Sequence, residues 1–268
     1  MGWFTRWRRA RTLRSKPLDA QAWDACVARF SFLRALDAAD RQRLHDQIVL
    51  FLADKSIQGA GGLAVTADMR LLIAAQACLL ILNLDLDYYR DWVEIIVYPD
   101  EFVADYEYTG EDGVVHRVRS PISGEAWDNG PVILSWRDAD AADSGSGYNV
   151  VMHEFAHKID MLNGDADGFP PLHAEMDRST WTEAFSSAYA DFRRRLDARE
   201  ETRLDAYAAE DPAEFFAVLS EMFFEIPLAV RDDYPAVYAQ MAAFYRQDPA
   251  RRVPVAAPDA EQTGRRAD

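Results

Sequence analysis

The 268-residue chain carries 45 acidic against 29 basic residues, a formal charge of −16, and nearly half of its residues are apolar. That length buries a full core in one large domain, and the acidic balance argues against direct nucleic-acid binding because phosphates would repel it. Two cysteines, Cys26 and Cys78, lie in apolar helical stretches; they suit no thiolate metal site and read as core residues of a reducing compartment.

The charge is uneven from the first residues. Segment 1–17 holds Arg6, Arg8, Arg9, Arg11, Arg14 and Lys16 and no acid, leaving 23 basic against 45 acidic residues, a net of −22, on the rest. No apolar stretch of a secretory signal follows it, so a basic tail and a cytoplasmic location are expected. Trp3, Phe4 and Trp7 would suit contact with an anionic membrane or an acidic partner, although most such tails only solubilise.

Residues 18–92 read as a helical region, with three helices across 19–84, an extended stretch near Ile57, and Thr66 as N-cap of the last helix. The longest apolar run, 71–82, contains Gln76 and is too short to span a bilayer. Segments 93–98, 101–108, 113–118 and 132–136 are strand-like, separated by turn-rich pieces. Helices are expected again over 146–163, 179–198, 211–226 and 232–246. Residues 249–268, with Pro254, Pro258 and Gly264, read as a flexible tail.

The chemistry is concentrated in His153-Glu154-Phe155-Ala156-His157. Four residues make just over one helical turn, so the two imidazoles project from one face and can grip one metal ion. Glu154, next to the first ligand, can reach a water at that metal as general base. A chance match would more often place two histidines on a polar surface helix. Here Val150, Val151, Met152, Phe155, Ala156 and Ile159 make the helix apolar, and buried imidazoles need partners.

A catalytic zinc site usually takes three protein ligands. Asp160 and Asn163 stand where a metzincin would have Gly and His, which excludes that subclass. Three downstream glutamates remain. Glu183 lies on a long polar helix and reads as a solvated charge. Glu214 and Glu221 share an apolar helix and, being seven apart, face the same way. Asp211 as N-cap and Pro212 at the next position would also explain Glu214 as a capping acid, so spacing leaves ligand and cap equally open, with Glu221 as the alternative ligand.

Tyr148 to Asp160, then Asn163-Gly164-Asp165, then Asp205 to Glu214, together with 94–99 and 130–136, resemble the Mlc titration factor A family. These are bacterial zinc peptidases whose metal site is similar to that of the anthrax lethal factor catalytic domain. The resemblance covers residues 40–248. It implies an α+β, zincin-like metallopeptidase domain over 18–248, with an N-terminal helical region and a metal-site region from 93. It implies one zinc per chain held by His153, His157 and Glu214, Glu154 as base, and Tyr207, seven residues before the third ligand, as transition-state stabiliser. In such zincins an edge strand beside the metal helix binds extended peptide, and Pro131 before Val132 makes 131–136 a candidate for it, alongside a plain sheet strand.

The resemblance also implies aminopeptidase-type activity on small peptides and a link to sugar-uptake regulation through the Mlc repressor. The alternative it leaves is a repressor-titrating binding protein whose peptidase activity is weak or secondary. One position departs from the wider pattern. Gluzincins often carry an acid four residues after the third ligand, where this chain has Val218, so Asp160 or Glu221 must orient a ligand histidine.

Overall fold

The computed structural model describes residues 3–109, 115–126 and 130–253. Residues 254–268 of the expected C-terminal tail, and residues 110–114 and 127–129 of the expected turn-rich pieces, lie outside the described residues. Within that tail, Pro249–Arg252 form a 3-10 turn with Ala250 buried.

The basic segment expected as a tail forms helix α1 (Trp3–Ser15), which lies along α4 with Ala10, Thr12 and Leu13 half-buried. Arg9 ties it down through Asp85 at 3.1 Å and Asp87 at 3.3 Å. The helical region continues with α2 (Ala20–Arg29), α3 (Ser31–Arg34) and α4 (Ala38–Asp54), and after the short strand β1 (Ser56–Gly59) with α5 (Ala67–Leu80). Asp19, Asp37 and Thr66 accept backbone N–H groups at the starts of α2, α4 and α5, so capping side chains fix these boundaries. Cys26 and Cys78 are both buried free thiols.

The strand-rich part contains β2 (Glu94–Tyr98), the hairpin β3 (Phe102–Thr109) and β4 (Val115–Ile122), then β5 (Gly124–Ala126) and β6 (Val132–Ser135). The main sheet runs in the order β1-β2-β6-β5, with β1, β2 and β6 parallel and β5 antiparallel to β6. Segment 132–135 is therefore not an edge strand. After the hairpin the chain returns along the open side of β6, pairing Gly124 with Leu134 and Ala126 with Val132, and β5 takes the edge. Pro131 precedes the first ladder residue, so its missing N–H disrupts nothing.

The remaining helices are α6 (Trp136–Asp140), α7 (Val150–Asp160), α8 (Arg178–Asp197), α9 (Pro212–Glu225), α10 (Pro227–Asp233) and α11 (Pro235–Tyr245). Helix α7 is buried along its whole length, packed against α5, β5, β6 and α9. Its Phe155 ring lies 5.9, 5.1 and 5.5 Å from Phe51, Tyr89 and Trp92. On α9, Phe215 and Phe216 pack on Trp181, Phe185 and Phe192 of α8. Each such ring contributes about 1.5–3 kcal/mol on burial, which holds α7 and α9 in fixed register. The result is an α+β fold in which buried α7 packs between a small sheet and the equally buried α9.

Candidate metal centre

Helix α7 starts where Asn149 accepts the Met152 N–H at 2.9 Å, and His153, Glu154 and His157 follow within two turns. All three are buried, at 8, 4 and 7 % exposure. Helix α9 supplies the facing carboxylate. Asp211 caps it through the N–H groups of Ala213 and Glu214, with Pro212 in the first turn, as its sequence implies. Because Asp211 does the capping, the Glu214 side chain is free to turn toward α7.

It points at both imidazoles. Glu214 Oε2 lies 2.9 Å from His153 Nε2 and 3.4 Å from His157 Nε2, and the two Nε2 atoms are 3.1 Å apart. Glu214 Oε2 is buried and makes no hydrogen bond of acceptable geometry, despite those short separations. Three lone-pair-bearing atoms thus converge on one point. Tetrahedral zinc with bonds of about 2.0–2.1 Å would set its ligand atoms about 3.3–3.4 Å apart, so the donor set and its spacing fit a divalent metal. Among the described residues these three form the cluster able to hold one. Glu183 stands exposed on α8, outside it.

Glu221 takes a different place. Its Oε1 lies 2.7 Å from His153 Nδ1, and its Oε2 accepts the Asn149 N–H. One buried carboxylate therefore orients the His153 ring and anchors the start of α7, leaving Nε2 for the metal. Asp160 instead accepts the Gly168 N–H at 2.7 Å, and His157 Nδ1 has no hydrogen-bond partner among the described residues. Gly168 has φ +77°, and a Cβ there would press on the Pro212 carbonyl, so glycine lets this loop close against the start of α9.

The electrostatics suit proton transfer. Burial pushes Glu154 up to about 7, against the pull of the His153 and His157 charges. Burial would raise Glu214 too, but the adjacent imidazoles override it and hold this carboxyl well below the ordinary range. His153 is raised well above its ordinary value; burial opposes this, and the Glu214 and Glu221 carboxylates outweigh it.

Tyr207 sits in the 3-10 turn Ala206–Ala209 just before α9, half-exposed, its ring 6.0 Å from that of His153. Burial, then the charges of Glu214 and Glu210, push its pKa far above the ordinary tyrosine range, keeping it a donor. A cleft of about 590 Å³ opens beside this group, lined by His153, Glu154, Tyr207, Tyr148, Gly124 and Arg203 among others. Burial pushes Tyr148 up to about 12.

The sequence reading did not single out Gly124, Ser123 or Arg203 as cleft residues. Gly124 faces Glu154 from β5, and the glycine at the start of an edge strand was the available signal.

A family model described as glucose-regulated metallo-peptidase M90 matches residues 4–246. The chain is similar to the Mlc titration factor A of Salmonella typhi, 36 % identical over 241 residues, covering 89 % of this chain and 91 % of that one. It is similar likewise to the Mlc titration factor A of Serratia proteamaculans, 37 % identical over 234 residues, covering 86 and 88 %.

Proposed function

The chain belongs to the glucose-regulated metallo-peptidase M90 family, and on that premise we propose that it is a zinc-dependent peptidase of zincin-like architecture, of aminopeptidase type and acting on small peptides in the cytoplasm. The observation that carries this reading is the convergence of His153, His157 and Glu214 beside the buried carboxyl of Glu154.

When bound, zinc supplies a Lewis acid that acidifies water and polarises a peptide carbonyl. Glu154 takes a proton from the attacking water and hands it to the leaving amine, a role its place beside the first ligand histidine suits. Tyr207 donates its hydroxyl hydrogen to the substrate oxygen as negative charge builds there. Glu221 keeps the His153 ring in one tautomer and orientation. An extended peptide adds along the free edge of β5, which lies against α7.

Glu154→Gln tests this chemistry. The variant keeps its metal and fold but loses hydrolysis by about a hundredfold or more. Hydrolysis at the wild-type rate would remove Glu154 from the role of base.

The name of the relatives speaks of titrating Mlc and not of hydrolysis, which supports a second activity, direct binding of an Mlc repressor protein. If binding is the main function and peptidase chemistry is secondary, Glu154→Gln binds such a repressor as tightly as the wild type.

A further inference from the structure

Helix α1 presents an outward face unlike the rest of the molecule. Trp3, Trp7, Arg11 and Arg14 are spaced by four, four and three residues, so at about 100° per residue they form one stripe. All four are exposed, Trp3 at 70 % and Trp7 at 51 %. The Arg11 guanidinium lies 5.7 Å from the Trp7 ring centroid, so the indole half of the stripe passes directly into its basic half. The opposite side is engaged: Thr12 and Leu13 are half-buried along α4, and Arg9 pairs with Asp85 and Asp87. The helix is therefore held flat on the body with its tryptophans turned outward.

We propose that α1 docks the protein onto an anionic lipid surface, with Trp3 and Trp7 at the headgroup level and Arg8, Arg11 and Arg14 on the lipid phosphates and carboxylates. Charge complementarity chooses this occupant. Segment 1–17 carries six basic residues and no acid, whereas the remainder is at −22, so an anionic plane attracts the molecule at α1 and repels it elsewhere. Indoles prefer the interface between water and hydrocarbon, and the arginines that follow them suit the headgroups. A nucleic-acid groove fits less well, because α1 turns two tryptophans outward where a base-reading helix carries hydrogen-bonding side chains. No helix among the described residues is long and apolar enough to cross a membrane, so α1 lies on the surface.

Co-sedimentation of the full chain with vesicles tests the proposal. Phosphatidylcholine vesicles containing phosphatidylserine should bind at least about tenfold more protein than phosphatidylcholine alone, and added salt should release it. The double variant Arg11→Glu/Arg14→Glu should lose that binding. Trp3→Ser/Trp7→Ser, which leaves the charge unchanged, should weaken it about tenfold or more. Both variants should keep wild-type thermal unfolding and peptide hydrolysis. Equal binding to both vesicle types, or wild-type binding by the tryptophan variant, overturns the proposal. So does charge-dependent self-association, or binding to duplex DNA, in place of vesicle binding.

Discussion

Gly124 lies so close to Glu154 that a Cβ at position 124 would sit 2.7 Å from the glutamate Cγ and nearer still to its Oε1. The edge strand and the general-base candidate therefore share one space, and only glycine leaves the carboxylate where it is. Gly124→Ala should displace Glu154, or push β5 away from it. A shift of about an ångström at a reacting group can cost about a hundredfold, so we expect kcat to fall by roughly ten- to a hundredfold with metal content unchanged. Steady-state kinetics with metal analysis checks this; a wild-type kcat would mean that the strand yields freely.

Glu214 and Glu221 touch opposite nitrogens of His153, and their variants should differ accordingly. Glu214→Ala removes a ligand and should abolish stoichiometric metal binding. Glu221→Ala removes only an orienting partner and should weaken metal affinity by about 10- to 100-fold. Competition titration with a chelator distinguishes the two, and the reverse ranking would exchange their roles.

Tyr207→Phe keeps the ring and removes the hydroxyl. Loss of one donor to a developing oxyanion typically costs about a hundredfold or more in kcat with little change in KM. An unchanged kcat would reduce Tyr207 to a packing residue.

Glu225, one turn beyond Glu221, accepts the Asp143 N–H and the Asn149 amide, while burial pushes its pKa up to about 7 from 4.5. The folded state thus holds this proton more tightly than the unfolded state. Its contribution to stability is complete below pH 4.5 and is lost as pH rises through 7. Glu225→Gln cannot titrate. Relative to the wild type it should gain stability between pH 5 and 8, by up to about 3 kcal/mol. Asp160 and Glu154 titrate over the same range in both proteins, so the difference isolates Glu225. Denaturant unfolding at the two pH values measures it, and a pH-independent difference would refute the assignment.

Much of the metal centre was legible because helical spacing alone places His153 and His157 on one face. The carboxylates were harder to read. Glu214 and Glu221 lie two turns apart on the same side of α9, and only the packing of α7 against α9 gives one of them Nε2 and the other Nδ1. Residues 131–136 were the candidate substrate edge because Pro131 suits the first residue of an edge strand. The actual edge, Gly124–Ala126, is three residues long, too short for any period to show. Helix α1 escaped notice for a related reason. Its charge suggests a solvated tail, and the surface of α4 that orders it is not written in its own residues.

The central claim is that His153, His157 and Glu214 together hold one catalytic zinc. Its most direct test is the zinc content of the purified chain and of Glu214→Gln after exhaustive dialysis. We expect one zinc per chain in the first and far less than one in the second, with peptide hydrolysis lost alongside it. Full zinc retention by Glu214→Gln, or hydrolysis by metal-free wild-type protein, would contradict the account.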